Sequence, residues 1–382
     1  MEEQTMIVGI PKEIKEDEYR VGIVPSGVKI LEEHGHTVLV ETGAGHGCRI
    51  SDEEFVEAGA IVIDDNEEVY GRSDLIMKVK EPQPSEYTLL REGHILYTYL
   101  HLAPNPELTQ ALLERKIVAI AYETIQDNDG FLPLLFPMSE VAGRMAVQVG
   151  AHFLEKTQGG RGVLLGGVPG VRRGRVTIIG AGTVGKAAAK IAVGLGAEVY
   201  MLDIDQRRLL HMDDIFENRV TTMISHPDNI AHSVTTSHLV VGAVLIPGDR
   251  SPILVTKEMI RGMKSGSVMV DVAIDQGGCF ETSRPTTHRN PVFEWEQIVH
   301  YCVPNMPGAV ARTSTFALTN VTLPYAVNIA DNGLEAAIRK LPPLSAGINL
   351  YRGTVTHEKV AQALGYKSRP VKQLMDIQHS TH

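Results

Sequence analysis

The glycines of Gly180-Ala-Gly182-Thr-Val-Gly185, with Asp203 placed 18 positions after the last of them, have the types and spacing to bind a dinucleotide. In such a turn, Gly180 allows the chain to reverse tightly. Gly182 lets the backbone approach a pyrophosphate, and Gly185 lets the following helix pack close to its strand. The helix N-terminus then faces the phosphate charge with unpaired N–H groups. Asp203 is placed to accept hydrogen bonds from an adenosine ribose and to repel a 2′-phosphate. Arg207 and Arg208 either lie on the next helix face or tolerate that phosphate; the carboxylate favours NAD over NADP.

A second set of chemical groups lies where strands are expected to end. Arg20 follows the first strand, Lys80 closes Lys78-Val-Lys-Glu-Pro82, His101 closes Tyr97-Thr-Tyr-Leu-His, and Asp275 opens Asp-Gln-Gly-Gly278. Parallel sheets bind ligands outside the carboxyl ends of their strands, so these positions are candidates for a site. A guanidinium and an ammonium suit a small carboxylate, and an imidazole suits proton transfer beside a carbonyl reduced by hydride. Each also has a bland reading. Arg20 could be an ordinary surface arginine, Lys80 part of a solvated strand face, His101 a turn cap and Asp275 a turn aspartate. Asn305 and Met306 sit at another strand end, where a substrate or nicotinamide contact is possible. Glu123 and His300 read as isolated structural residues. Neither a nucleophile elbow nor a zinc-binding helix motif occurs, and no metal site is expected.

The elements that must carry these residues alternate strand and helix, which implies mostly parallel sheets. Strands are expected at 6–10, 37–41, 75–79, 95–99 and 118–122, with helices at 27–34 and 52–58. A second series follows at 176–179, 198–202, 220–224, 239–245, 267–272 and 300–303. A long amphipathic helix is expected over 138–156, with Ser139 as its N-cap and Val141, Met145, Val149 and Phe153 at helical spacing. The glycine-rich stretch 159–170 reads either as a linker or as a loop near a cofactor. Residues 315–332 read as a helix kinked at Pro324, and 357–364 as another. The polar residues after Ala363 are expected to be disordered.

The expected fold class is α/β, with two Rossmann-like, doubly wound parallel-sheet domains and a cleft between them. Their expected boundaries are a substrate domain at 1–137, a dinucleotide-binding domain at 138–308, and C-terminal helices at 309–382 returning to the first. A chain of 382 residues is long enough for two cores. Its formal net charge of −10 argues against nucleic acid as the main partner. No apolar run approaches the length of a membrane span, no secretory signal is visible, and three scattered cysteines suggest a reducing cytoplasm.

On these residues the chain resembles the alanine dehydrogenases, and more distantly the nucleotide-binding part of the proton-translocating nicotinamide nucleotide transhydrogenases. The resemblance runs from Gly9-Ile-Pro-Lys-Glu to about Gly365. It is most specific at Lys78-Val-Lys-Glu-Pro82, Tyr99-Leu-His-Leu102, Met138-Ser-Glu-Val-Ala-Gly-Arg144, Val272-Ala-Ile-Asp-Gln-Gly-Gly278 and Pro304-Asn-Met-Pro-Gly-Ala-Val310.

The resemblance implies an oxidoreductase that interconverts L-alanine with pyruvate and ammonium using NAD, assembled as a homo-hexamer. It implies that Arg20 and Lys80 bind the substrate carboxylate and carbonyl, with Asn305 also on the substrate side. It makes His101 the acid/base residue and has Asp275 assist near the reacting carbon. Ser139, Asp203 and the Gly180 loop would hold NAD, with Met306 near the nicotinamide. Two departures stand out: Asp17-Glu18 where Asn-Glu is usual, and Val21-Gly-Ile-Val24 where Val-Ala-hydrophobic-Thr or Ser is usual. The alternatives are a transhydrogenase subunit, which as a family lacks the histidine at 101, and an amino-acid dehydrogenase of saccharopine type.

Overall fold

The computed structural model describes residues 5–244 and 251–375. In chain order its strands are β1 (Ile7–Ile10), β2 (Thr37–Glu41), β3 (Ile61–Ile63), β4 (Leu75–Met77), β5 (Ile95–Thr98), β6 (Val118–Ala121), β7 (Arg175–Ile179), β8 (Glu198–Asp203), β9 (Val220–Ile224), β10 (Leu239–Gly242), β11 (Val268–Asp271), β12 (Val292–Trp295), β13 (Ile298–Tyr301), β14 (Ile348–Tyr351) and β15 (Thr354–Val355). The chain divides into two compact units, one formed by Met1–Met138 with Val310–His382 and the other by Ser139–Ala309.

The first unit holds a sheet of order β15-β14-β6-β5-β4-β1-β2-β3. Its central strands pair in parallel. They are almost wholly apolar because helices cover both faces, so alternate positions have no water to face. Val8, Ile10, Val38, Leu39, Leu75, Ile76, Leu96, Ala119 and Ile120 are all buried. β14 and β15 are antiparallel additions at one edge. The chain runs outward through β1, β2 and β3, then returns to place β4 on the other side of β1. The topological switch therefore falls between β1 and β4, where a ligand of an open α/β sheet is expected. The segments leaving those two strands carry Arg20 and Lys80.

The second unit repeats this logic in the order β12-β13-β11-β10-β7-β8-β9, with β12 antiparallel at the edge. Here the switch falls between β7 and β10. The turn leaving β7 is Gly180-Ala-Gly182-Thr-Val-Gly185, which leads into the helix Thr183–Gly194. Gly180 has a φ of +108°, and a Cβ there would lie 2.5 Å from the Ala243 carbonyl oxygen, just past β10. A Cβ on Gly185 would lie 1.8 Å from the Gly180 carbonyl oxygen. The third glycine is thus required by backbone against backbone, which no side-chain movement relieves. Gly185→Ala is expected to push the helix off its strand and abolish dinucleotide binding. Tryptophan-quenching titration with NADH checks this; wild-type affinity in the variant would contradict it.

The helix anticipated over 138–156 spans Phe136–Phe153, so Ser139 lies in its first turn instead of capping it. Pro137 explains the earlier start, since proline lacks an N–H and fits a first turn. Pro324 sits within Ala311–Lys340, but the residue there with non-helical dihedrals is Gly333, at φ 70° and ψ 161°. Only glycine adopts that conformation cheaply. The residues after Ala363 are ordered through 375, with Ser368 bridging to Val355 and a short helix at Val371–Leu374. Residues 376–382, and Leu245 at the end of the anticipated 239–245 strand, lie outside the described residues.

Candidate active site

Arg20 is held more tightly than a surface arginine. The loop between β1 and the helix Pro25–Glu33 buries it to 2% exposure. Its Nε donates to Glu18 Oε1 at 2.6 Å, its Nη2 to Glu18 Oε2 at 2.5 Å, and its Nη1 to Met138 Sδ at 3.1 Å. The Arg20 backbone N–H also donates to Glu18, at 3.0 Å. Such a two-pronged pair fixes the plane of the guanidinium. Burial alone would raise the Glu18 carboxyl, but the charge and hydrogen bonds of Arg20 override it and hold it down to about 2.

The same loop accounts for the departures at 17 and 22, while Val24 stands at the N-cap of the helix Pro25–Glu33 without a side-chain cap. Asp17 has a φ of 57°, a left-handed conformation that asparagine and aspartate both tolerate, so that exchange preserves the turn. A Cβ on Gly22 would lie 2.7 Å from the Met77 carbonyl oxygen, so the Arg20 loop approaches β4 too closely for alanine.

Lys80 follows β4, and its position is set from beneath. Glu13 accepts the N–H groups of Val79 at 2.6 Å and Lys80 at 3.2 Å. The carboxylate of Glu13 in turn lies 3.3 Å from the buried Lys78 ammonium, which donates to Glu86 at 2.9 Å. Tyr70 adds a 2.8 Å hydrogen bond to Glu86. On the neighbouring strand, Thr98 donates to the Lys80 carbonyl oxygen at 3.0 Å. The Lys80 amine is pushed below its ordinary value, first by burial and then by the nearby Arg20 guanidinium. The two cations lie close together, with the Glu18 carboxylate beside both.

His101 follows β5 with a φ of 47°, an uncommon conformation for a residue with a Cβ. The strain is held by Glu123, which accepts the His101 N–H at 2.7 Å and the Leu100 N–H at 3.3 Å. The imidazole stacks nearly parallel to the Tyr99 ring, with centroids 6.0 Å apart, and stays half exposed. Its Nδ1 lies 3.9 Å from Glu123, beyond hydrogen-bond distance. Glu123 is therefore not the isolated residue that the sequence suggested. His300 does have a structural setting, with Thr282 at 2.7 Å on Nε2 and the Ile298 carbonyl oxygen at 3.0 Å on Nδ1.

In the second unit, Asp203 ends β8 and is nearly buried. Its Oδ2 accepts the Ala181 N–H at 2.6 Å and its Oδ1 the Asp205 N–H at 2.8 Å. The carboxylate thus braces the glycine turn, and each oxygen keeps a second lone pair for a hydroxyl donor. Arg208, 3.8 Å from Asp203, is mostly exposed. A Cβ on Gly182 would meet nothing within 4 Å, and the helix that begins there has no side-chain cap. Open space above uncapped N–H groups, with a carboxylate at the next strand end, fits a dinucleotide. The glycine of Met138-Ser-Glu-Val-Ala-Gly143 gains a reason too: its Cβ would lie 2.2 Å from the Val184 carbonyl oxygen.

β11 ends at Asp271, not at the Asp275 turn. Asp271 is wholly buried and accepts N–H groups from Ala273, Cys279 and Phe280 and a hydroxyl from Ser283 at 2.5 Å. Burial pushes its carboxyl up, against those bonds. This structural aspartate ties off the turn that exposes Asp275 four positions later, within Val272–Gln276. Asn305, at φ 56°, turns the chain after β13, and its carbonyl accepts the Gly308 N–H at 2.9 Å. Met306 is buried beside it. Among the described residues, no cluster of metal-binding side chains occurs, and no helix is long and apolar enough to cross a membrane.

The model of the alanine dehydrogenase/PNT N-terminal domain matches residues 9–142, and that of the C-terminal domain matches residues 146–358. The chain belongs to the alanine dehydrogenase/PNT family. It is 55% identical to the alanine dehydrogenase of Methanococcus maripaludis, over 97% of this chain and all of that one. It is 54% identical to alanine dehydrogenase 2 of Staphylococcus aureus strain USA300, with the same coverage of both. A solved structure titled L-alanine dehydrogenase superposes with a TM-score of 0.92 at 50% identity, covering 94% of this chain and 99% of that one. The transhydrogenase of Sinorhizobium meliloti superposes with a TM-score of 0.79 at 26% identity, covering 92% and 99%. The full-length identity is to alanine dehydrogenases, at about twice the identity to the transhydrogenase.

The Arg20–Glu18 pair also has a pH consequence. The folded pKa of Glu18, about 2, lies below the ordinary 4.5. Its contribution to stability is therefore complete above pH 4.5 and is lost as pH falls towards 2. Urea unfolding is expected to weaken more steeply across that window in the wild type than in Glu18→Gln. Equal slopes would contradict the depressed pKa.

Proposed function

We infer that the chain is an alanine dehydrogenase, an oxidoreductase that converts L-alanine to pyruvate and ammonium and catalyses the reverse amination. The observation that carries this reading is His101, held half-exposed by Glu123 at a strand end beside those of Arg20 and Lys80. A protein that only passes hydride between nucleotides has no substrate to protonate. The full-length identity to alanine dehydrogenases supports the same conclusion.

NAD is the proposed cofactor; Ser139, Gly180, Gly182, Gly185, Asp203 and Met306 would hold it, and when bound it accepts or returns the hydride. Arg20 and Lys80 are proposed to bind the pyruvate carboxylate and carbonyl oxygen. Glu18 already engages Nε and Nη2 of Arg20, so an incoming carboxylate would share the guanidinium with it. Ammonia adds to the carbonyl carbon, and water leaves as the imine forms. His101 moves protons in that dehydration, at the Nε2 atom remote from Glu123. The assisting role of Asp275 and the substrate contact of Asn305 rest on the family resemblance, supported by their exposed and turn positions past β11 and β13. We further propose a cytoplasmic homo-hexamer, with 1–137 and 309–382 forming the substrate domain and 138–308 the NAD domain.

Supplying L-alanine and NAD⁺ to the purified chain is expected to yield pyruvate and NADH in equal amounts, with D-alanine inert. NADH binding with no turnover would sink this reading in favour of a transhydrogenase-type subunit.

A further inference from the structure

A cavity lies at the end of the dinucleotide-binding sheet opposite the glycine turn. It encloses about 600 Å³ and is lined by Arg172, Arg173, Arg175 and Lys264, with His238 and Glu198. Arg175 and Glu198 begin β7 and β8, and His238 immediately precedes β10. The cavity thus opens at the amino ends of the strands whose carboxyl ends form the glycine turn. Across a five-residue strand that is a separation on the order of 15 Å. The glycine-rich stretch 159–170 contributes to this end, so it is neither a linker nor a loop beside the glycine turn. Arg161 N–H donates to the Gly266 carbonyl at 2.8 Å, and Val168 bridges to Val171 in a hairpin.

The charge here runs against the chain as a whole. Residues 159–176 contain four arginines and no acid, in a protein of net charge −10. Four cations line the cavity and Glu198 is its one carboxylate. Arg175 is locked in place: it donates to Glu198 at 3.0 Å and Thr236 at 2.9 Å, with its guanidinium 4.7 Å above the Tyr200 ring. His238 Nδ1 accepts the Arg175 N–H at 2.9 Å, which puts the neutral ring's proton on Nε2 as a donor. Burial lowers His238, as do Lys264, Arg161 and Arg175, so their positive fields converge on one spot. Arg172 and Arg173 remain exposed at the rim.

We propose that this cavity is a binding site for a phosphate-bearing small anion, separate from the dinucleotide turn. Arginine forks match phosphate geometry, and the imidazole supplies a further donor. Leu164, Val168 and Val171 are exposed apolar residues on one wall, suited to a non-polar part of the same ligand.

The test is calorimetric titration of the full chain, saturated with NAD to block the glycine turn, using inorganic pyrophosphate and, separately, ATP. One anion is expected to bind per chain. The double variant Arg172→Ser with Arg173→Ser is expected to weaken it by about tenfold or more while turnover stays at the wild-type rate. Tighter binding of ATP than of pyrophosphate would assign the apolar wall to the ligand. Failure of both anions to bind, or equal affinity in the variant, would overturn the proposal. So would loss of anion binding on adding NAD, which would place the anion at the glycine turn. A variant that alters only the assembled mass, with no anion bound by the wild type, would make the cluster a contact between copies instead.

Discussion

His101→Ala is expected to lose about 100- to 10,000-fold in kcat, the usual worth of positioned general acid/base help, with a much smaller change in the KM for pyruvate. The size follows from the support given to this side chain. A left-handed backbone, a carboxylate on the adjoining N–H groups and a parallel aromatic ring all fix one imidazole that remains half exposed. A histidine that merely capped a turn would need none of these. Steady-state kinetics at neutral pH decide the matter: near-normal kcat in the variant would remove His101 from the chemistry. Glu123→Gln separates positioning from catalysis, because the amide oxygen can still accept the N–H bonds while the charge facing Nδ1 is gone. A modest fall in kcat with the pyruvate KM little changed is its expected signature.

Arg20→Ala is expected to fail in two ways at once. Pyruvate affinity falls because a guanidinium fork is lost. Stability also falls by about 3–5 kcal/mol, because Glu18 is left buried and charged without its partner. The two losses are separable. Glu18→Gln with Arg20 intact should destabilise while retaining pyruvate binding. Arg20→Lys restores the charge without the fork, and should recover part of the stability but little of the affinity. Chemical denaturation and pyruvate KM measured on the three variants test this. An Arg20→Ala protein with wild-type pyruvate KM would place the substrate carboxylate elsewhere.

The sequence made legible whatever depends on local steric rules. Gly180 and Gly185 were readable because each sits against backbone, and Asp203 because a strand delivers it at fixed spacing. Arg20, Lys80 and His101 were readable as strand ends. What holds them was not. Glu13 reaches Val79 across 66 positions, and Glu123 reaches His101 across 22, so no spacing rule pairs them. Asp271 lies inside an apolar strand end and reads as part of the strand, so its part in tying off the Asp275 turn was not legible. The edge strands β14 and β15 and the short β3 lack the long apolar run that marks a central strand, and none was anticipated. Ser139 was misread as a cap because Pro137 starts the helix earlier. The Gly333 break escaped notice because Pro324 offered a more obvious kink.

The measurement that bears most directly on the account is NADH consumption by the purified chain with pyruvate and ammonium, against controls lacking each. Turnover is expected only when both are present. Binding of NADH without consumption, or consumption indifferent to ammonium, would contradict it.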